Sequence, residues 1–383
     1  MSRRSSDPTV RDRLPEKHVP GRASDATQLP SLDGKLVLLG LNLPELTEMV
    51  ESGGFPAFRA KQLFHWMYHK AALSFDEMHN IASDFRDWMK STCTLGHIGI
   101  ATVREAADGT RKILFRLRDG KLVEGVLIME DDWFTLCVSS QVGCAVGCTF
   151  CMTGFGGFQR QMSRAEIVSQ VLVVKRLVHA GKMPRNLVFM GMGEPMLNMD
   201  EIVPSLRVLS DPDGIAIAAR RITVSTSGIL PGIERLGRER LSVSLAISLN
   251  ASDNAFRSRI MPINRTYPIE SLLEACKAFP LQARRRITFE YVLLGGINDS
   301  VENARALAGL LQGIPCKINL IPFNPDSRLP FQRPSEETVR RFQDYLIGKF
   351  FTASIRYSKG LDIGAACGQL AGHWQPGLAA GAS

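Results

Sequence analysis

Between about residues 131 and 348, short apolar, β-branched runs alternate with amphipathic helical stretches, and no other feature constrains the fold as strongly. Strands are expected at Asn186–Met190, Ile222–Ser225, Leu241–Ser248, Arg286–Leu294 and Lys317–Ile321. Helices are expected at Met199–Leu209, Leu230–Leu236, Ile269–Ala278, Val301–Leu311 and Ser335–Gly348. A further helix, Ser163–Ala180, opens with Ser163-Arg-Ala-Glu166, a capping box in which the two side chains satisfy each other's free amides. Strands separated by helices call for a parallel sheet with crossover connections. About six such units predict an α/β protein built on a partial (βα)6 TIM-like barrel.

Two smaller units precede the barrel. Residues 96–130 read as a short β extension, with strands at Arg111–Leu117 and Leu122–Met129 around the turn Asp119-Gly120, and a third strand follows at Trp133–Val138. Residues 35–95 read as a helical accessory domain, broken by Gly53-Gly54 and Pro56. Its second helix carries Phe58, Leu63, Phe64 and Met67 at helical spacings, interleaved with Arg59, Lys61, His65, His69 and Lys70. That face is either simply solvated or an RNA contact. Residues 1–34 are polar, without an apolar segment, and carry Asp7, Asp12 and Glu16; they read as a disordered leader rather than a transit peptide. Residues 131–372 are expected to form the core, and 373–383 to be a flexible tail.

No apolar run approaches the roughly 20 residues of a membrane span, so a cytoplasmic location without a membrane partner is expected. The net charge of +8 favours a polyanionic partner. The run Arg284-Arg285-Arg286 is either a phosphate contact or a solvated strand edge. Eight cysteines without a signal peptide point to metal or redox chemistry rather than a disulfide framework.

The unusual residues share one position in the repeat. The cysteine cluster, Gly191-Met-Gly-Glu-Pro195, Ser225-Thr-Ser-Gly228, Ser248-Leu-Asn250 and Asn324-Pro325 all follow the C-terminal ends of predicted strands. In βα barrels the loops at that face converge on one mouth, where active sites form.

Cys144-Ala-Val-Gly-Cys148-Thr-Phe-Cys151 places three thiols in one loop with Cys-x3-Cys-x2-Cys spacing. Thiolates are the usual ligands of iron–sulfur clusters. Three of them can hold three irons of a 4Fe–4S cubane and leave the fourth open to the amino and carboxylate groups of S-adenosylmethionine (SAM). The alternatives are a structural zinc site or three buried thiols. Zinc would want a fourth ligand at close spacing, and Cys137, inside the preceding strand, is the nearest thiol.

These motifs, with Cys137-Val-Ser-Ser-Gln-Val-Gly-Cys144, Lys317-Ile-Asn-Leu-Ile-Pro322 and Ala365-Ala-Cys-Gly-Gln-Leu370, closely resemble those of the RlmN/Cfr family of radical SAM RNA methyltransferases. The resemblance runs from about Leu43 to Gly372 and implies a radical SAM barrel. It implies Cys144, Cys148 and Cys151 as cluster ligands. Gly193 and Glu194 would meet the SAM amino end, and Ser225, Ser248, Leu249, Asn250 and Asn324 its ribose and adenine. Asn250 stands where many members have His. Cys367 would carry the methyl group, Cys137 would be its thiol partner, and Glu124 the base.

The implied reaction uses two SAM molecules per turnover and passes through an S-methylcysteine and a protein–RNA adduct. Its product is a methyl group on carbon 2 of an adenine in 23S rRNA, at the peptidyl transferase centre, and in tRNA, next to the anticodon. The alternatives are Cfr-like methylation of carbon 8, or a non-catalytic RNA-binding protein with a structural metal. A monomer served by an electron donor such as flavodoxin or ferredoxin is expected. Cys93, Cys276 and Cys316 lie outside every motif and read as structural.

Overall fold

The computed structural model describes residues 31–32, 34–131, 133–178 and 184–371; the predicted tail and most of the predicted leader lie outside them. The strands are β1 (Ser31–Leu32), β2 (Lys35–Val37), β3 (Cys93–Thr94), β4 (Gly99–Glu105), β5 (Arg111–Arg116), β6 (Leu122–Met129), β7 (Phe134–Cys137), β8 (Gln141–Gly143), β9 (Phe158–Gln161), β10 (Asn186–Phe189), β11 (Ile222–Thr226), β12 (Ser244–Ser248), β13 (Ile287–Leu293), β14 (Cys316–Pro322) and β15 (Ala353–Ile355). The helices are α1 (Leu43–Ser52), α2 (Phe58–Phe64), α3 (Ser83–Thr92), α4 (Met152–Phe155), α5 (Arg164–Leu177), α6 (Met199–Ser210), α7 (Leu230–Arg238), α8 (Asn254–Ile260), α9 (Ile269–Ala278), α10 (Val301–Leu311) and α11 (Glu336–Gly348).

One sheet organises the molecule, in the order β15-β14-β13-β12-β11-β10-β7-β6-β5-β4. From β7 to β15 every neighbouring pair is parallel. Crossover helices α5, α6, α7, α9, α10 and α11 supply six βα units, and β15 and β4 remain as edges, so the barrel is partial. The β extension continues this sheet rather than forming its own: β6 pairs antiparallel with β7, placing Val126 opposite Cys137. That pairing brings Glu124 to the barrel mouth.

Helix α5 is buried on nearly every face from Arg164 to Val174. The barrel covers one side and the helical domain the other, so no polar face is needed. Ile98 N donates to Ser169 Oγ at 2.9 Å, and Arg164 pairs with Glu45 at 2.7 Å while its side chain is only 6% exposed. The capping box forms as its sequence predicts: Ser163 accepts from Glu166 N, and Glu166 Oε2 accepts from Ser163 N.

In the helical domain, α2 runs into a π-helical turn at His65–His69. Leu63, Phe64 and Met67 are buried, but Phe58 is 53% exposed and lies beneath the Arg59 guanidinium instead of in the core. Ser31 and Leu32, expected in the leader, form a strand paired with β2.

Candidate active site

The cysteine loop is held by a hairpin the sequence reading missed. Strand β8 pairs antiparallel with β9 across the loop, and Cys144 N donates to Gly157 O at 3.0 Å. Gly143 has φ +77, and a Cβ there would lie 1.8 Å from Gly157 O, so only glycine closes this hairpin. Cys144, Cys148 and Cys151 are free and half-buried. Burial pushes Cys144 up to about 12, with nearby Cys151 adding to the rise. Cys148 is pushed well above the usual thiol range by burial, then by Cys151 and Cys144. Burial thus keeps Cys144 and Cys148 protonated, and a strongly cationic ligand would be needed to draw off their protons.

Among the described residues, no three His, Cys, Asp or Glu side chains converge to clasp a single metal ion. A cubane differs, since each cysteine binds a separate iron. An all-sulfur donor set fits that group.

The loop after β10 is pressed against the segment after β7. Gly193 has φ +105, and a Cβ there would come within 2.6 Å of Gln141 Cβ. Glu194 is buried, its amide donating to Gln141 Oε1 at 2.7 Å. Its Oε2 accepts from Ser227 N and Ser227 Oγ, and its Oε1 from Met196 N. Burial raises this carboxyl above its usual range, and those hydrogen bonds oppose the rise. Ser225, at the mouth end of β11, donates to Glu290 Oε2 at 3.4 Å.

Arg257 in α8 is the second clasp, and it has no signature in the sequence. Fully buried, it donates to Leu249 O (2.9 Å), Ser227 O (2.7 Å), Ser248 O (3.1 Å) and Asn264 Oδ1 (2.9 Å). Burial pulls its guanidinium down to about 10. It therefore ties the loops after β11 and β12 together through the backbone of Ser248 and Leu249. Asn250 turns the chain at φ +60. Its Oδ1 accepts from Val292 N and its carbonyl from Asn298 Nδ2, so it shapes the loop with groups expected to face a ligand.

Asn324 differs from Asn250. Its Nδ2 donates to Ser358 Oγ (2.9 Å) and Cys367 O (3.2 Å), while its buried Oδ1 has no partner. An orphaned buried acceptor at a barrel mouth calls for a donor from a ligand.

Cys367 lies in a segment with three left-handed glycines, Gly360, Gly364 and Gly368. Met152 N donates to Gly368 O at 2.7 Å and Thr153 Oγ1 to Leu370 O at 2.6 Å, joining this segment to the cysteine loop. Cys367 is exposed, yet the surrounding protein weakens its solvation and pushes it up to about 12, with Glu290 and Cys151 contributing. Cys137, buried at the end of β7, is raised by burial first and by Cys367 second. Cys367 therefore lies within electrostatic reach of Cys137 and Cys151, and the Met152–Gly368 bond ties the residues that follow Cys151 and Cys367. Glu124, whose strand position left solvent exposure open, is buried: Oε1 pairs with Lys112 at 3.1 Å and Oε2 accepts from Ala371 N at 3.0 Å.

Glu290 was also missed. It is buried on β13 between Ser225 and Asn319, and burial raises its carboxyl. The Arg284–Arg286 run lies at the start of β13, at the end of the barrel away from the mouth. Arg285 donates to Ser244 Oγ and Arg286 to Thr352 Oγ1, so the run does not flank the candidate site. Among the described residues, no helix is long and apolar enough to cross a membrane.

The model of the radical SAM superfamily matches residues 138–308, and that of the ribosomal RNA large subunit methyltransferase N-terminal domain matches residues 36–95. The chain is 48% identical over 341 residues to the dual-specificity RNA methyltransferase RlmN of Geobacter sulfurreducens, covering 89% of this chain and 93% of that one. It is 49% identical over 346 residues to the protein of the same name from Anaeromyxobacter, covering 89% and 92%. The crystal structure of a radical SAM methyltransferase from Sphaerobacter thermophilus matches with a TM-score of 0.84 at 44% identity, over 88% of this chain and 99% of that one.

Proposed function

The chain belongs to the RlmN family of radical SAM RNA methyltransferases, and from that premise we propose that it methylates carbon 2 of one adenine in 23S rRNA, at the peptidyl transferase centre, and of one in tRNA, next to the anticodon. The observation that carries this reading is the setting of Cys367, whose segment is hydrogen-bonded to the cysteine loop through Met152 and Thr153 and to Glu124 through Ala371.

Carbon 2 of adenine is electron-poor and does not attack a methyl sulfonium, so polar transfer alone fails. Cys144, Cys148 and Cys151 would hold a 4Fe–4S cluster, which would supply the electron for reductive cleavage of SAM. Gly193 and Glu194 line the amino end of the SAM site, and Ser225, Ser248, Leu249 and Asn324 its nucleoside end. The free Asn324 Oδ1 supports this, and Asn250 contributes by turning the chain.

Cys367 accepts a methyl group on sulfur, which requires that its raised thiol first lose a proton. Two SAM molecules are then used per turnover, one for this methyl and one for the radical step. Glu124 takes the proton from the substituted ring carbon. Cys137, as its thiolate, attacks the Cys367 sulfur; the sulfur–carbon bond breaks, its electron pair leaves with the RNA methylene, which takes a proton to become the methyl group, and an external thiol reductant returns the Cys137–Cys367 disulfide to two thiols. The target base must leave its stack to reach the mouth. The chain acts as a cytoplasmic monomer with a small electron carrier, such as flavodoxin or ferredoxin.

Nucleoside mass spectrometry after anaerobic incubation with SAM, a reductant and protein-free 23S rRNA fragments tests the reading. 2-Methyladenosine that disappears in Cys367→Ala is expected. 8-Methyladenosine would move the reaction to the other ring carbon. No methyladenosine from protein that cleaves SAM would refute the substrate.

A further inference from the structure

Both flanks of Cys367 are tied to one ion pair between a half-buried lysine and a buried glutamate. Lys112 on β5 places Nζ 3.1 Å from Glu124 Oε1 and 3.2 Å from Gly364 O, before the cysteine. Glu124 on β6 gives its other oxygen to Ala371 N, after it. The two side chains are 16% and 4% exposed, so the pair is shielded from solvent competition. Arg328 also lies within Coulombic reach of Glu124, but it is already bidentate on Asp326. No family motif cited above includes Lys112.

In this arrangement neither Glu124 oxygen is free to take a proton from a substrate. One is committed to the ammonium and the other to the segment carrying the cysteine. Detachment of Ala371 frees Oε2 and loosens the segment in the same event. Gly360, Gly364 and Gly368, all left-handed, give the segment backbone freedom to move without side-chain strain.

We propose that Lys112 is a positioning residue that couples the Glu124 carboxylate to the placement of Cys367. Its ammonium holds residues 360–371 closed, and it keeps the carboxylate occupied until that segment moves. The catalytic consequence rests on the roles assigned above to Glu124 and Cys367; the mechanical coupling does not.

Hydrogen exchange of the anaerobic holoprotein, read by mass spectrometry over residues 360–371, tests the coupling. Lys112→Met and Glu124→Gln should each raise exchange there by about tenfold. Lys112→Arg should stay near the wild type, since it keeps a cation within reach. The double variant Lys112→Met/Glu124→Gln should show no more than either single change, because both open one latch. Unchanged exchange in Lys112→Met and Glu124→Gln would overturn the proposal. If Lys112→Met does not fold, Glu124→Gln and Lys112→Arg decide the question alone.

In turnover, Lys112→Met should lower kcat and leave KM for RNA unchanged. A raised KM with unchanged kcat would instead make Lys112 an RNA contact and overturn the proposal. Failure of the carbon 2 assignment would leave the exchange result intact, which separates the two.

Discussion

The Glu194 carboxylate accepts two hydrogen bonds from Ser227, one from its amide and one from its hydroxyl, each at 2.7 Å. Two crossover loops, one after β10 and one after β11, are thereby joined by a single buried acceptor. Glu194→Ala would strand the amides of Ser227 and Met196, at a cost of about 2–4 kcal/mol for the two buried donors. Urea denaturation should show that loss. Equilibrium dialysis should show weaker SAM retention, because the loop that Glu194 shapes would relax.

Replacing Cys144, Cys148 or Cys151 singly by Ala should remove the iron and the broad visible absorbance of the anaerobically purified protein. Metal analysis is the direct check. Iron held at wild-type stoichiometry in any one variant would exclude that thiol as a ligand.

Arg257→Lys retains the charge but not the planar fork that serves four acceptors. At least two buried oxygens should lose their donor, destabilising the protein by about 2–4 kcal/mol in a denaturant titration. Wild-type stability would mean that an ammonium can occupy the same cavity and satisfy the same carbonyls.

Glu290 gives a pH signature. Burial raises its carboxyl in the folded protein, so over a window above the ordinary glutamate range the folded state keeps a proton that the unfolded state has lost. The contribution is most favourable below that range. It declines as pH rises towards the folded value, by at most about 1.4 kcal/mol per pH unit. Glu290→Gln should flatten this part of the profile and be the more stable protein above the window. Parallel slopes for both proteins would contradict the assignment.

Much of the barrel was legible because its signals are local. The predicted helices Ile269–Ala278 and Val301–Leu311 match α9 and α10, and the Ser163 capping box forms as written. The cysteine spacing and the glycine-rich segments at strand ends marked the mouth. Other features depend on burial, a collective property. Phe58 sits at a helical spacing shared by core residues yet faces solvent, with the Arg59 guanidinium over its ring. Arg257 and Glu290 look in sequence like ordinary surface charges, and only the enclosing structure makes them buried groups. The arginine run before β13 attracted attention through its charge, although its place before a strand already implied the far end of the barrel.

By itself, the sequence determined the strand–helix period, the helix caps, the glycines with left-handed backbones and three thiols in one loop. Each depends on residues a few positions apart, where propensity and sterics act. Tertiary structure decided that the Cys367 segment, from the far end of the chain, is bonded to the cysteine loop, and that one Lys112–Glu124 pair holds both of its flanks. Those meetings require the β6–β7 register, the open edge of the sheet and the exclusion of water, and none of these is encoded in any short stretch of residues.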